Sequence, residues 1–246
     1  MTTTENHSAL LQLKLLGMAG CYEGILQLPI NNQPEAHEMI SHLVDAEKQQ
    51  RQLTKTVHLL KFAKLRYNAS LDQIECSSQR NLTKQQLILL ADCSFIEKSQ
   101  NILITGATGC GKSFMACAIG NRACIMGYKT LYLNMNRFAE KIMQSKLDGS
   151  LLKMLAHIEK IKLLILDDFG LQPLNQNIKL ALLQILEDRY QLKSIIIASQ
   201  LPVNAWYDYL NEPTLADAIM DRLTANTHRI ELKGESLRRK KQPEKS

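Results

Sequence analysis

Residues 106–113, GATGCGKS, set three glycines, a lysine and a hydroxyl between two apolar runs. Gly106, four residues, then Gly111, Lys112 and Ser113 is the spacing of a phosphate-binding loop. Glycine permits sharp backbone angles and close approach, so backbone N–H groups can turn inward around phosphate oxygens. On this reading Gly106, Ala107, Thr108, Gly109, Cys110, Gly111, Lys112 and Ser113 cradle a nucleotide. Lys112 reaches the terminal phosphates, and the Ser113 hydroxyl binds a Mg²⁺ ion. LLILDDFG at 163–170 supplies the complement, an apolar run that delivers two acids. Asp167 then holds the magnesium shell, and Asp168 orients or deprotonates the water that attacks ATP.

Two later stretches carry polar groups toward the same chemistry. SIIIASQLP (194–202) ends an apolar run in Ser199–Gln200. A residue there either senses the γ-phosphate or its attacking water, or only satisfies nearby backbone groups. ADAIMDRLTAN (216–226) sets Arg222 in a helical pattern. Arg222 is either a finger that completes a neighbouring subunit's site or a local partner of Asp221 or Asp217.

Positioning such groups requires strands that end at one edge. NILIT (101–105) reads as a buried parallel strand, and SFMACAIGNRACIM (113–126) as a helix stopped by Gly127. The helix N-terminus adds partial positive charge where phosphates would sit. Further strands are expected at 130–134, 163–167, 194–199 and 229–232, with helices including 136–146 and 175–191. The alternation predicts an α/β fold with a central parallel sheet wrapped by helices, and ligands at the carboxyl ends of the strands.

The first 70 residues read as helical, with a break at LPINNQPE (28–35) and a long helix from Glu35 to about Leu65. Leu43, Ala46, Leu53, Val57 and Leu60 share one face of it, and Lys48, Arg51, Lys55 and His58 the other. That cationic face is either solvated or a contact for nucleic-acid phosphates or a protein partner. The expected organisation is a helical DNA- or partner-binding domain at 1–70, a connector at 71–95, a nucleotide-binding core at 96–232 and a basic tail at 233–246.

The bulk properties of the 246-residue chain agree. It is 45% hydrophobic and 22% charged, no apolar run approaches the roughly 20 residues that span a bilayer, and MTTTENHSAL has no secretory character, so a cytoplasmic location and no membrane partner are expected. The net charge is +6, and the tail holds six cations against two acids, which points to a polyanionic partner. Six cysteines without a CxxC pair read as buried small hydrophobes in a reducing compartment rather than metal ligands or disulfides.

GATGCGKS, LLILDDFG, LEDRYQLKSIIIASQLPVNAWY, ADAIMDRLTAN and RIELKGESLRRKK, with LLQLKLLGMAG and AEKQQRQLTKTVHLLKFAKL upstream, resemble the IstB-type ATPases, helper proteins of a bacterial insertion-sequence family. The resemblance runs from about Leu10 to Lys241. It implies an AAA+ core related to DnaC-type helicase loaders, with the phosphate-loop strand between the 194–199 strand and the C-terminal strand. It also implies ATP-dependent homo-oligomers on DNA, largely independent of sequence, that help a transposase select and join target DNA. By match, Gln200 takes the sensor position, Arg222 is the finger, and Arg238 in GESLRRK is a second phosphate sensor. The AAA+ class usually has Glu where Asp168 stands, and relatives often have Thr–Ser where Ala198–Ser199 stands. Three other functions are compatible with a phosphate loop: a replicative helicase loader, a small-molecule kinase and a non-hydrolysing ATP switch. A kinase often carries an arginine-bearing lid, and no such insertion occurs between 113 and 194.

Overall fold

A computed structural model describes residues 3–237. The chain divides into two units, Met1–His58 and Leu59–Ser246.

The first unit holds α1 (Thr3–Gln12), α2 (Leu16–Leu26) and most of α3 (Ala36–Ala63). The α2 and α3 backbones nearly touch: a Cβ on Gly17 would lie 2.4 Å from the Ala46 carbonyl oxygen. At that crossing Glu47 is buried, and its Oε2 accepts from the backbone N–H groups of Gly17 at 2.8 Å and Met18 at 3.3 Å. These N–H groups belong to the first turn of α2, where no earlier carbonyl can serve them. Arg51 Nε donates to the other oxygen at 2.7 Å. The Arg51 guanidinium is the main cause holding the Glu47 carboxyl below its usual pKa, against the opposing effect of burial.

The α3 faces therefore differ from those the periodicity predicts. Burial in this unit centres on Glu47, and Leu53 and Val57 stand 61% and 63% exposed. On the cationic side, Arg51 is paired with Glu47 and Lys48 with Asp45 at 3.3 Å.

The second unit is built on five parallel strands among the described residues: β1 (Asn101–Gly106), β2 (Thr130–Asn134), β3 (Leu163–Phe169), β4 (Ser194–Ser199) and β5 (Thr227–Leu232). Their order is β2-β3-β4-β1-β5, with β1 between β4 and β5. The strands are nearly continuous in apolar residues because helices cover both faces. Ile102, Ile104, Ile165 and Ile196 pack with α4 (Lys84–Ala91), α5 (Ser94–Glu97) and α6 (Lys112–Ile125). Leu103, Leu164, Leu166 and Ile197 face α7 (Met135–Leu147), α8 (Leu151–Glu159), α9 (Gln176–Arg189), α10 (Trp206–Leu210) and α11 (Pro213–Thr224). Alternate strand residues thus serve opposite layers.

One buried cation ties these layers together. Arg189, at the end of α9, donates to the carbonyls of Ile158, Ile161, Lys162 and Ser194. It joins the end of α8 to the starts of β3 and β4. Desolvation lowers its pKa to about 10, so it stays charged at neutral pH. Among the described residues, no helix is long and apolar enough to cross a membrane. Cys93, Cys110, Cys117 and Cys124 are buried, and no cluster of metal-ligating side chains of three or more occurs among the described residues.

Candidate active site

The loop 106–111 leaves the carboxyl end of β1 and runs into α6. Gly106 sits at φ 144°, and a Cβ there would be 2.1 Å from the Leu232 carbonyl oxygen of β5. No other residue fits without parting the two strands. Gly111 caps α6 at φ 95°, in the left-handed region where a Cβ is costly. Lys112 is buried and its Nζ donates to the Ala107 carbonyl at 2.8 Å, so the loop closes around its own lysine.

Beside the loop, β3 delivers its acids. Asp167 is 1% exposed. Its Oδ1 accepts from Ser113 Oγ at 3.0 Å and from the Asp168 N–H at 2.9 Å. Its Oδ2 accepts from the Tyr132 hydroxyl at 2.6 Å. Burial first, and then Asp167, push the Tyr132 hydroxyl's pKa upward, so it remains a donor. Asp168 lies within β3, which runs two residues past the expected end at 167. The register with β4 slips between Leu166 and Phe169, and Asp168 takes φ 60° at the slip. Aspartate is among the few side-chain-bearing residues that tolerate this conformation. Its Oδ2 accepts from Asn134 Nδ2 at 2.5 Å and Arg66 Nη1 at 3.5 Å.

Ser199 and Gln200 have separate surroundings. Ser199 Oγ donates to the Phe169 carbonyl at 2.7 Å and accepts from the Leu201 N–H at 3.0 Å. It fastens local backbone. Gln200 Oε1 accepts from Thr108 Oγ1 at 2.7 Å, which brings Gln200 onto the phosphate loop.

Arg222 is not gathered with these groups. Its carbonyl accepts from Asn101 Nδ2 at 3.2 Å, and Asn101 opens β1, whereas the loop leaves the other end. At about 3.3 Å per residue the two edges are roughly 16 Å apart. The Arg222 guanidinium pairs with Glu187 at 2.6 Å and Asp221 at 3.6 Å. Arg238 lies outside the described residues, but the chain leading to it meets the loop, with the Leu237 N–H donating to the Gly109 carbonyl at 3.0 Å.

Four contributors were not legible as site residues. Tyr132 and Asn134 sit on β2, and Asn134 follows an apolar run much as the acids of β3 do, which is the available signal. Arg66 and Arg80 come from the stretch between α3 and α4, where nothing marks them. Arg80 is buried, and its Nη2 donates to the Cys110 carbonyl at 2.7 Å, bracing the loop from behind. Together the loop, Asp168, Gln200, Tyr67, Ile74, Arg80 and Leu237 enclose a cavity of about 670 Å³, within the range of small-molecule sites.

A phosphate loop braced by neighbouring elements, an acid pair on the adjacent edge and a parallel sheet in this order define a P-loop nucleotide-binding fold of the AAA+ type. The chain belongs to the IstB-like ATP-binding protein family, whose description matches residues 8–245. It is 39% identical to an insertion sequence ATP-binding protein of Sinorhizobium fredii over 95% of this chain and 96% of that one. It is 37% identical to the insertion sequence IS1162 ATP-binding protein of Pseudomonas fluorescens over 82% and 88%. Solved structures share the fold at 20% identity. The DnaC helicase loader superposes with a TM-score of 0.57 over 70% of this chain and all of that one. The DnaI structure gives 0.57 over 73% and 92%.

Proposed function

We propose that this protein is an ATP-hydrolysing helper of DNA transposition, which assembles on DNA with ATP and assists a transposase in target selection and insertion. The observation that carries the hydrolytic part is the 3.0 Å contact between Ser113 Oγ and Asp167 Oδ1 beside the phosphate loop, with Asp168 next in the chain. A hydroxyl and one carboxylate are hard oxygen donors that suit Mg²⁺, which takes its remaining ligands from phosphates and water. Bound there, the ion would neutralise charge on the β- and γ-phosphates. Lys112 exchanges its Ala107 carbonyl for phosphate oxygens, Asp168 orients the water, and Gln200 reports the γ-phosphate through Thr108. The names of the relatives, which tie them to insertion sequences, support the transposition role.

Arg222 acts in trans on this reading. An arginine side chain spans about 7 Å, less than half of the roughly 16 Å between the two edges of β1, so a head-to-tail neighbour is the site it can complete. Arg222→Ala and Asp168→Asn should each bind ATP yet hydrolyse it slowly, Arg222→Ala by up to about 10³-fold or more. Mixed equally, they should regain activity, because roughly a quarter of head-to-tail junctions then pair an intact Asp168 with an intact Arg222. A mixture as inactive as its parents, with mixed assemblies confirmed by crosslinking, rules out the shared site.

A replicative helicase loader is the second reading, favoured by the likeness to the DnaC loader's fold. Reconstitution with a transposase encoded beside this protein, compared with reconstitution with a replicative helicase, separates the two. Partner-stimulated phosphate release is expected with the transposase alone.

A further inference from the structure

Both donors to Asp168 use the same oxygen. Asn134 reaches Oδ2 from the end of β2 and Arg66 reaches it from the peptide just beyond α3. That peptide is shaped to do so. Lys64 adopts φ 52°, which ends α3 after Ala63 and turns the chain toward the sheet. The last turn of α3 is seated in the core: Ala63 is buried, the Phe62 ring lies 5.6 Å from that of His157, and Lys129 Nζ sits 4.4 Å above the Phe62 ring. Arg66 also lies 5.3 Å over the Tyr67 ring.

We propose that Arg66 is a positioning residue that restrains Asp168, so that hydrolysis is coupled to the peptide leaving α3. This rests on the ATPase reading above. A carboxylate that orients water must offer it lone pairs, and a guanidinium hydrogen-bonded to one oxygen occupies part of that capacity. The pair is long, and Arg66 is 43% exposed, so the restraint is weak and a small displacement breaks it. Weakness suits a contact that has to open in each cycle. A shift of α3 moves Phe62 and Ala63, and Arg66 follows three residues later.

The full-length chain tests this with Arg66→Ala and Arg66→Lys. Phosphate release is measured with and without duplex DNA, affinity by titration with a fluorescent ATP analogue, and folding by thermal melting. Arg66→Ala should raise basal kcat about two- to five-fold, the range of a partly exposed ion pair, with nucleotide affinity unchanged. The DNA-stimulated rate should stay put, so the stimulation factor shrinks by the same two- to five-fold. Arg66→Lys, which keeps the charge, should lie near wild type. If Arg66→Ala melts early, Arg66→Gln replaces it.

A fall in basal kcat or in affinity would make Arg66 a nucleotide contact and overturn the proposal. Unchanged rates overturn the restraint, and equal rises with and without DNA overturn the coupling. A wild-type chain without hydrolysis overturns the ATPase reading and this one with it. Wild-type hydrolysis that DNA does not accelerate removes only the DNA part of the functional reading, and the basal rate of Arg66→Ala then decides.

Discussion

Lys112 is a buried cation whose Nζ has a backbone carbonyl as its partner. A buried ammonium is costly unless an anion or strong acceptors offset it, and a triphosphate in this loop supplies several anionic oxygens at once. Arg80 lines the same cavity but already commits its Nη2 to the Cys110 carbonyl. Lys112→Ala should therefore weaken ATP binding by about 10- to 100-fold for each charged hydrogen bond lost. The stability of the protein without nucleotide should change little. Titration with a fluorescent ATP analogue measures the first, and undiminished affinity would refute the phosphate-loop assignment. Asp168 shows the residue scale from another side. Its φ of 60° at a slipped register suits aspartate better than the longer acid usual in the class, which gives a local reason for the shorter side chain here.

Among elements, the starts of β3 and β4 depend on a helix end. Arg189 gathers four carbonyls at the edge opposite the phosphate loop, two of which, Ile158 and Lys162, also accept from the Ile161 and Ser194 N–H groups. Replacing Arg189 with Leu roughly keeps volume and removes all four of these charged donations from a buried place. The expected cost is about 3 kcal/mol or more, a fall in Tm of roughly 6–12 °C for a unit of this size. Thermal denaturation followed by circular dichroism reads it, and a fall below 2 °C would mean that water replaces the guanidinium. The same geometry gives the arginine of LEDRY its role, which is to fasten layers at the edge away from the chemistry.

Across the whole molecule the cations are unevenly distributed along the sequence. On α3, Arg51 and Lys48 already have acids from their own helix. The residues after Leu237 carry five cations and one acid, and the chain reaches that tail directly from the phosphate loop through the Leu237–Gly109 bond. DNA binding should be largely insensitive to sequence and should weaken steeply with salt. Truncation after Leu237 should lower the salt slope by about 0.9 for each phosphate contact removed. Neutralising Lys48, Arg51 and Lys55 together should lower it less. Fluorescence anisotropy of a labelled duplex across a salt series measures both slopes, and a larger drop for the α3 variant reverses the assignment.

The sequence by itself determined the phosphate loop, the strand that feeds it, the acid pair and the alternation of strand and helix. Each of these is written in contiguous residues, where spacing and apolar runs carry the physical constraint. Helix α8 is also marked, by Leu151, Met154, Leu155 and Ile158 at helical spacing, whereas the left-handed bend at Asp168 left no such mark. Only the tertiary structure decided which of Ser199 and Gln200 meets the loop: Ser199 ends β4 with its hydroxyl on the Phe169 carbonyl, and Gln200, one residue beyond the strand, reaches Thr108. It also decided that Arg222 belongs to the far edge of the sheet. The braces of the site, Arg66, Arg80, Tyr132 and Asn134, are separated from the groups they touch by 30 to 102 positions in the chain. No local pattern encodes such pairs, because the contacts exist only once the sheet has brought its strand ends to one edge.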